Sequence, residues 1–553
     1  MGSPVRDEWE NTRVESSRTK RILLAVVTAL VAFVGLGAWA IASPVGAAPD
    51  DDFHLASIWC SLGDREGLCA PGDEANERTV AERLIESSRC FASHPEESAQ
   101  CPLDDETTIS TDRGNFDGNY PPVFYSVMGV FAGPDIAVST IVMRLFNAAI
   151  FVGAVSAVLA LLRPGQRGPL IWASIVPMVP LGVFLIPSVN PSSWAVLAGL
   201  TVWLATYGYF TAESRGRRIA LGAIAAVTAV MGAGARGDSA VFVAFAAFAA
   251  ALLAFERDRR WVKLALLPLG IAIIGAVFFF LAGQSTGIAT VGVTGQAATA
   301  GDATAPVGAV EAAPEAAGGL GLLLSNLMDL PFLWTGGAGT WGLGWLDTPV
   351  PVFVWVMMIG LLIALLFWGL RIMTPRKGIV LLLALFAMTA VPLYILQGKG
   401  LRVGEWVQPR YLLPLLLIFV GVALFGFAKD HLGITRLQAG IVFAVVALAN
   451  ALSLHNNMRR YISGLGDGSG FNLNAGIEWW WAMPVSPMVV WFVGSAAFAL
   501  ALLGLFLHLY PKGERPGAVL EERAPVPGLI RPAEPSAAEQ FIVLTGTAST
   551  RPS

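Results

Sequence analysis

The apolar run ILLAVVTALVAFVGLGAWAIA occupies residues 22–42, and the acidic stretch PDDDFH follows it at residues 49–54. The run has about 20 residues, which is enough for a helix to span a membrane and longer than the apolar core of a signal peptide. A basic segment precedes it, with Arg13, Arg18, Lys20 and Arg21. Because basic residues remain in the cytoplasm, the run predicts an uncleaved anchor whose outer end carries the acidic stretch.

The composition indicates a membrane protein throughout. Of the 553 residues, 55% are hydrophobic and only 14% are charged, and the mean hydropathy is +0.63. A soluble chain carries about 25% charged residues. The sequence has no basic nucleic-acid footprint, so we expect no nucleic-acid partner.

Twelve apolar segments are predicted to span the membrane. They cover residues 22–43, 137–162, 168–187, 191–210, 217–234, 238–255, 262–283, 350–371, 378–397, 411–428, 434–454 and 487–510. With residues 1–21 in the cytoplasm, every loop predicted to be inside is basic, as the positive-inside rule requires. The sequence therefore predicts an all-α, multi-pass protein of the plasma membrane with both termini in the cytoplasm.

The long loops fall on the outer side of this topology. The first covers residues 44–135 and the second covers residues 284–349. Each contains an aromatic, apolar stretch that predicts an interfacial helix. Residues 511–553 are rich in Pro, Glu and Ala and predict a disordered cytoplasmic tail. We therefore expect the transmembrane domain, residues 22–510, to act on the outer face.

All four cysteines lie in the first outer loop, which favours one or two disulfides in an oxidising compartment. They are Cys60, Cys69, Cys90 and Cys101. Four cysteines allow three full pairings, and the sequence leaves the choice open. A zinc site is the alternative, but no CxxC spacing is present.

Three carboxylates and a histidine stand together beyond the first span. On a helix, Asp50 and His54 share a face, so a carboxylate could act as a general base while the imidazole orients or shares the proton. The structural alternative is that Asp50, Asp51 and Asp52 suit the positive end of a helix dipole. No cofactor is certain, and a divalent cation, Mg²⁺ or Mn²⁺, is left open because hard oxygen ligands suit these ions.

Other polar and aromatic residues extend this candidate site. Arginines on the outer face run against the positive-inside preference, and a lipid phosphate would explain them through charge-assisted bonds. A salt bridge or a contact with lipid head groups is the competing explanation. Arg144 falls inside the second span and needs a partner within the bundle. The candidate binding residues are Asp52, Tyr120, Tyr125, Arg144, Arg236, Asp238, Gln408, Arg410 and Tyr411.

The chemistry that fits these residues is sugar transfer. The chain has no P-loop, HExxH motif or dinucleotide fingerprint, so its energy must come from an activated substrate or a gradient. A polyprenyl-phosphate sugar is such a substrate. A carboxylate would deprotonate the acceptor hydroxyl, and cationic groups would stabilise the departing lipid phosphate.

Four motifs lie in order along the chain: Pro49-Asp50-Asp51-Asp52-Phe53-His54, Tyr120-Pro121-Pro122-Val123-Phe124-Tyr125, Asn190-Pro191-Ser192 and Gln408-Pro409-Arg410-Tyr411-Leu412-Leu413-Pro414. Together they resemble the motifs of a family of polytopic bacterial proteins known as domain of unknown function 2142. The likeness runs from about residue 22 to about residue 510. Asp51 stands where the family pattern has Glu, Ser192 where it has Asp, and Pro409 where it has Gly.

That family is similar to the GT-C glycosyltransferases, membrane enzymes that use lipid-phosphate sugars. The resemblance implies a GT-C-like fold in which Asp50 or Asp51 is the base, His54 orients the proton and Arg410 holds donor phosphate. The expected partners are a polyprenyl-phosphate sugar, an envelope glycan or lipid acceptor, and membrane lipids.

Two other functions compete with this glycosyltransferase hypothesis. A transporter or flippase of a lipid-linked glycan would need essential polar residues near the membrane midplane, and the sequence offers few beyond Arg144. A non-catalytic envelope assembly protein would depend on the disulfide-tied loop and would tolerate changes at Asp50 and Asp51.

Overall fold

Helices dominate the chain, as the apolar pattern predicts. The computed structural model describes residues 4–103, 106–283, 319–466 and 470–511, with side chains from residue 19 onward. The first nine helices are α1 (Pro4–Ile41), α2 (Asp51–Cys60), α3 (Glu82–Glu86), α4 (Val123–Gly129), α5 (Ile136–Leu161), α6 (Gly168–Ala173), α7 (Leu181–Leu185), α8 (Ser192–Thr211) and α9 (Arg215–Ala233). The next nine are α10 (Gly237–Leu253), α11 (Arg259–Leu264), α12 (Leu266–Leu281), α13 (Leu320–Thr335), α14 (Val352–Gly369), α15 (Pro375–Lys399), α16 (Pro409–Ala423), α17 (Arg436–Ser463) and α18 (Pro487–Leu509).

Eight segments in the described part of the chain are helical, long and apolar enough to cross a membrane. They are α1 from Thr19, α5, α9, α11 together with α12, α14, α15, α17 and α18, whereas α10 and α16 are apolar but shorter. Each coincides with a predicted span, so the polytopic helical class is confirmed. The count of twelve spans and the likeness to GT-C enzymes stay predictions.

The predicted third span, residues 168–187, differs from a regular transmembrane helix. It consists of α6, a run of turns over residues 174–180, and α7. Pro177 and Pro180 lack backbone N–H donors and interrupt the helical hydrogen-bond ladder. The segment is almost entirely buried, and buried positions are where non-helical backbone is tolerated at membrane depth.

The first outer loop contains a small sheet that the all-α prediction did not include. Strands β1 (Ala70–Pro71), β2 (Arg78–Ala81) and β3 (Thr108–Thr111) pair antiparallel in the order β1-β2-β3. The sequence predicted one or two disulfides, and two are present. Each joins cysteines that are neighbours in sequence, Cys60 with Cys69 and Cys90 with Cys101. This settles the pairing that the sequence left open and removes the zinc alternative for these thiols.

The second outer loop is described only from residue 319 onward. Its described part contains α13, in line with the predicted helix, and a short 3₁₀ helix (Gly336–Ala338). The low-complexity start of this loop and the predicted disordered tail lie outside the described residues. Arg460 of α17 joins the two outer loops, because it donates to Asp347 at 2.9 Å and to the carbonyls of Phe91 and Glu97.

The helix ends of the bundle determine where polar residues can meet. Many helices begin or end at the end of the bundle that carries the first outer loop. The helices that end there are α1, α9, α15 and α17, and the helices that begin there are α5, α8, α10, α16 and α18. Following the predicted orientation, we call this the outer end and the opposite one the inner end. Loop residues and helix termini from distant parts of the sequence therefore come together at the outer end.

Candidate functional site

The three consecutive carboxylates at the start of α2 point in three directions, and each faces a different arginine. Asp50 contacts Arg410 at 2.5 Å, Asp51 lies 3.9 Å from Arg144, and Asp52 contacts Arg113 at 2.8 Å. Asp51 and Asp52 diverge because successive side chains of a helix are rotated by about 100°. Asp50 precedes α2 and has a left-handed backbone conformation, which turns its side chain in a third direction. The three acids therefore occupy three separate environments.

Asp50 is the carboxylate that faces the polar centre of the outer end. Its backbone is in the left-handed conformation (φ 59°, ψ 22°), which non-glycine residues adopt at a cost of about 1–2 kcal/mol. Its side chain is 16% exposed, whereas that of Arg410 is 2% exposed. Burial raises the pKa of Asp50, but the positive charges of Arg410 and Arg113, together with the Arg410 hydrogen bond, outweigh burial and hold the pKa below its usual value. Asp50 is therefore ionised at neutral pH.

Asp51 is completely buried and stabilises the turn that carries Asp50. Its carboxylate accepts a hydrogen bond from the Ala48 N–H at 3.0 Å, and its own N–H donates to the Ala48 carbonyl at 3.1 Å. Burial raises the pKa of Asp51 to about 7, although Arg144 and the Ala48 N–H oppose this. Asp51 therefore lies inside the protein against the turn that carries Asp50. Its catalytic role stays a prediction.

Asp52 forms an ion pair that sequence reasoning missed. Arg113 donates to both of its carboxylate oxygens, at 2.8 and 3.2 Å. The partner is 61 residues away in an irregular loop, so no spacing rule indicates it. The acids at this motif do not fit a divalent cation, because each carboxylate is turned to its own arginine. Over the described ranges, no three His, Cys, Asp or Glu side chains come together as a metal site.

His54 and two tyrosines form an aromatic cluster beside Asp50. The His54 Nδ1 and the Tyr125 hydroxyl are 2.9 Å apart, and the Tyr120 ring lies edge-on to both rings. Burial lowers the pKa of His54 to about 3, so the imidazole is neutral. The buried Nε2 has no hydrogen-bond partner among the described residues. His54 therefore keeps one ring nitrogen for a ligand.

Arg410 and Arg236 both lie close to the ring of Tyr411. Their guanidinium carbons are 4.9 and 4.6 Å from the centre of its ring. Arg236 is held by both oxygens of Asp238 at 2.9 Å and reaches the Ser192 hydroxyl at 3.4 Å. Arg410 uses only Nη2, which donates to Asp50 and to the Tyr411 hydroxyl.

Arg410 consequently retains hydrogen-bond donors inside the protein. Its Nε and Nη1 are buried and have no partner within the described part of the chain. A buried donor without a partner costs about 1–3 kcal/mol, so such groups are expected where a ligand completes the bonding. Two arginines around one tyrosine make this region suited to an anion with several oxygens.

Some of the other predicted residues hold the backbone around Asp50 in place, and others only lie near the site. Arg144 donates to the carbonyls of Ala40, Ser43 and Pro44, so it fastens the end of α1. Gln408 precedes α16, and its Oε1 is buried without a partner in the described residues. Asn190 donates to the Pro49 carbonyl at 2.8 Å and so holds the backbone just before Asp50. The sequence motif at Asn190 indicated relevance but not this contact.

A cavity of about 390 Å³ adjoins the aromatic cluster. Tyr120 and Tyr125 line it, together with Ser57 and Asn115 of the first loop, while Phe278 of α12 forms an apolar part of the wall. Asp50 and Arg410 are not among the residues that line this cavity. An amphiphilic cavity of this size accommodates a small polar group next to a hydrocarbon surface.

Comparison with known proteins identifies the family. The family described as "Predicted membrane protein (DUF2142)" matches residues 32–419, well over half of the chain. The chain belongs to the DUF2142 family. All four motifs that suggested this family lie within the matched residues, and the structure brings all four to the outer end. The DUF2142 description assigns no activity, and no curated protein and no solved structure matches the chain.

Proposed function

We propose that this DUF2142 protein is a membrane glycosyltransferase that transfers a sugar from a polyprenyl-phosphate donor to a cell-envelope glycan or lipid on the outer face. One observation carries the proposal. Arg410 bonds Asp50 through Nη2 and leaves Nε and Nη1 buried without partners among the described residues. A carboxylate and an unsatisfied guanidinium in contact are the two groups that this transfer requires.

In the proposed reaction, Asp50 accepts the proton of an acceptor hydroxyl as that oxygen bonds to the anomeric carbon of the sugar. The bond between this carbon and the phosphate oxygen breaks, and its electron pair leaves with the lipid phosphate. Arg410, with Arg236 beside it, stabilises the negative charge that develops there. The low pKa of Asp50 keeps it deprotonated before each reaction.

The aromatic cluster supplies the walls of the proposed sugar site. Tyr120 and Tyr125 offer ring faces and edges to a sugar, and the unpartnered Nε2 of His54 offers one hydrogen bond. The cavity of about 390 Å³ that both tyrosines line offers the acceptor a place next to the aromatic cluster. No step in this scheme requires a metal ion.

The proposal also includes the detailed fold, the cellular location and the membrane orientation of the protein. They are a GT-C-like arrangement of twelve spans, a bacterial plasma membrane location, and both termini in the cytoplasm. The consistently basic inner loops support the orientation. The eight long apolar helices support the polytopic arrangement.

The test is an envelope-glycan analysis of a deletion strain complemented with wild type, Asp50→Asn or Asp51→Asn. Asparagine has nearly the same shape as aspartate and tolerates the left-handed conformation of residue 50, so Asp50→Asn should fold. We expect wild type to restore one specific envelope sugar and Asp50→Asn to fail at normal membrane abundance. Asp51→Asn should restore it at least partly.

Full restoration of the envelope sugar by Asp50→Asn and by the double variant would overturn the proposal that the protein is an enzyme. It would leave transport of a lipid-linked glycan or a scaffold role. Replacing Cys90 and Cys101 by serine then separates these two, because a scaffold acting through the first outer loop depends on that disulfide.

A further inference from the structure

A second site lies far from Asp50, in the inner half of the bundle. α1, α5 and α18 surround a cavity of about 250 Å³, which we call the inner groove. Its walls are almost entirely apolar and include Leu24, Ala32, Phe151, Val155, Phe498 and Leu502. The irregular segment between α6 and α7 contributes Ile175 and Met178. The groove is larger than an engineered cavity of about 150 Å³ that binds benzene.

Three hydroxyl side chains line the inner groove, those of Thr28, Ser156 and Ser174, and two of them are bonded to backbone carbonyls. Thr28 donates to the Leu24 carbonyl at 2.7 Å, and Ser174 donates to the Ile171 carbonyl at 3.0 Å. A water molecule needs two to four polar partners, which these groups do not provide. The groove is therefore suited to a hydrocarbon chain.

Positive charge gathers at the inner end of the groove. Arg167 and His508 line it, and Arg21 is close enough to His508 to act on it electrostatically. Asp430 is the acidic neighbour of His508, but one of its oxygens accepts the backbone N–H groups of Gly165, Arg167 and Gly168. The Asp430 carboxylate is thus bonded to the backbone at the start of α6 and in the loop before it. Arg167 and Arg21 supply the positive charge near His508.

We propose that the inner groove binds one anionic phospholipid of the inner leaflet. One acyl chain fills the groove, and the phosphate lies against Arg167 and Arg21. The charge at the inner end argues for this occupant, because an apolar cleft alone would accept any chain. Basic residues near an anionic membrane surface are attracted to it. This proposal does not depend on the glycosyltransferase proposal.

Native mass spectrometry of the full-length protein in detergent tests the site. Phosphatidylglycerol and phosphatidylcholine with the same acyl chains are titrated separately. We expect wild type to retain one phosphatidylglycerol at concentrations where phosphatidylcholine is lost, and Arg167→Gln to weaken this binding about tenfold. Ala32→Phe, which fills the groove, should weaken the binding of both lipids.

Arg215→Gln is the matched control, because Arg215 is an exposed arginine at the inner start of α9, outside the groove. It should leave the retained lipid unchanged. Equal retention of the two lipids by wild type would overturn the proposal. So would equal weakening by Arg167→Gln and Arg215→Gln, which would mean general surface attraction. A dimer that excludes lipid from the groove would identify a second copy as its occupant instead.

Discussion

Lys377 at the inner end and Arg410 at the outer end are both buried cations, but they use their donors differently. The Lys377 ammonium donates to the carbonyls of Gly369, Ile372 and Phe425 at 2.9, 2.7 and 2.9 Å. All three of its N–H groups are thereby used, and they join the ends of α14 and α16 to the start of α15. Arg410 donates through one nitrogen and leaves Nε and Nη1 without partners in the described chain.

This difference indicates that Lys377 has a structural role and that Arg410 has donors available for a ligand. A buried cation whose donors are all used stabilises the fold and has nothing left to bind a substrate. A buried cation with unused donors lowers stability unless something completes its bonds. The protein accepts that cost at Arg410, beside the strained backbone of Asp50, and strain of this kind concentrates at functional sites.

We expect the largest effect from replacing Lys377, whose N–H groups are all used in hydrogen bonds. Lys377→Met leaves three buried carbonyls without a donor, at about 1–3 kcal/mol each. We expect little folded protein in the membrane fraction, measured by fluorescence-detected size-exclusion chromatography. Lys263→Met, at an exposed position of α11, is the control and should behave as wild type. A normal elution profile for Lys377→Met would contradict the structural role.

The next test sets two arginines of the outer end against each other. Arg410→Gln removes the donors proposed for lipid phosphate, so sugar transfer in membranes should fall about 100-fold, with the amount of folded protein largely retained. Arg144→Gln removes the bonds to three carbonyls at the end of α1, so folded protein should fall while transfer per folded molecule changes little. If Arg410→Gln lowered the amount of folded protein and Arg144→Gln lowered transfer per folded molecule, the roles assigned to the two arginines would be wrong.

A smaller effect concerns pH and Asp51. Burial raises the pKa of its carboxyl from 3.8 to about 7 in the folded state. Between about pH 4 and pH 7 the folded protein holds a proton that the unfolded chain releases, so this group's contribution to stability falls as pH rises through that window. Above the window its contribution is constant.

Asp51→Asn should therefore flatten the dependence of the melting temperature on pH, by several degrees across this window, in detergent-purified protein. Asp64→Asn, whose side chain is 61% exposed, provides the matched control and should keep the wild-type profile. An unchanged slope in Asp51→Asn would mean that Asp51 is ionised throughout.

The smallest expected effect is at the aromatic cluster. Tyr125→Phe removes the hydroxyl that lies 2.9 Å from the His54 Nδ1. Losing one neutral hydrogen bond of about 1 kcal/mol should reduce transfer about fivefold in a membrane assay. Tyr209→Phe on α8 leaves this cluster intact and should have no effect. A loss of 100-fold or more would mean that the Tyr125 hydroxyl meets the reacting groups directly.

Local patterns predicted the class of fold and the neighbourhood of the site. Apolar length identified the helices that the structure describes as long enough to span, and the clustering of Cys60, Cys69, Cys90 and Cys101 predicted disulfides. The four motifs indicated residues that the structure brings to one end of the bundle. Sequence could not assign the partners of Asp50, Asp51 and Asp52, because their arginines lie 360, 93 and 61 residues away along the chain.

What the sequence determined by itself is the membrane class, the helical class and the basic composition of the loops at one end of the bundle, because these depend on the composition of short segments. Only the tertiary structure decided that residues 174–180 form turns within a buried segment, that the first loop holds a sheet, and which carboxylate faces Arg410. These outcomes depend on which distant groups satisfy a buried charge or backbone dipole, and that choice is made when the helices pack together.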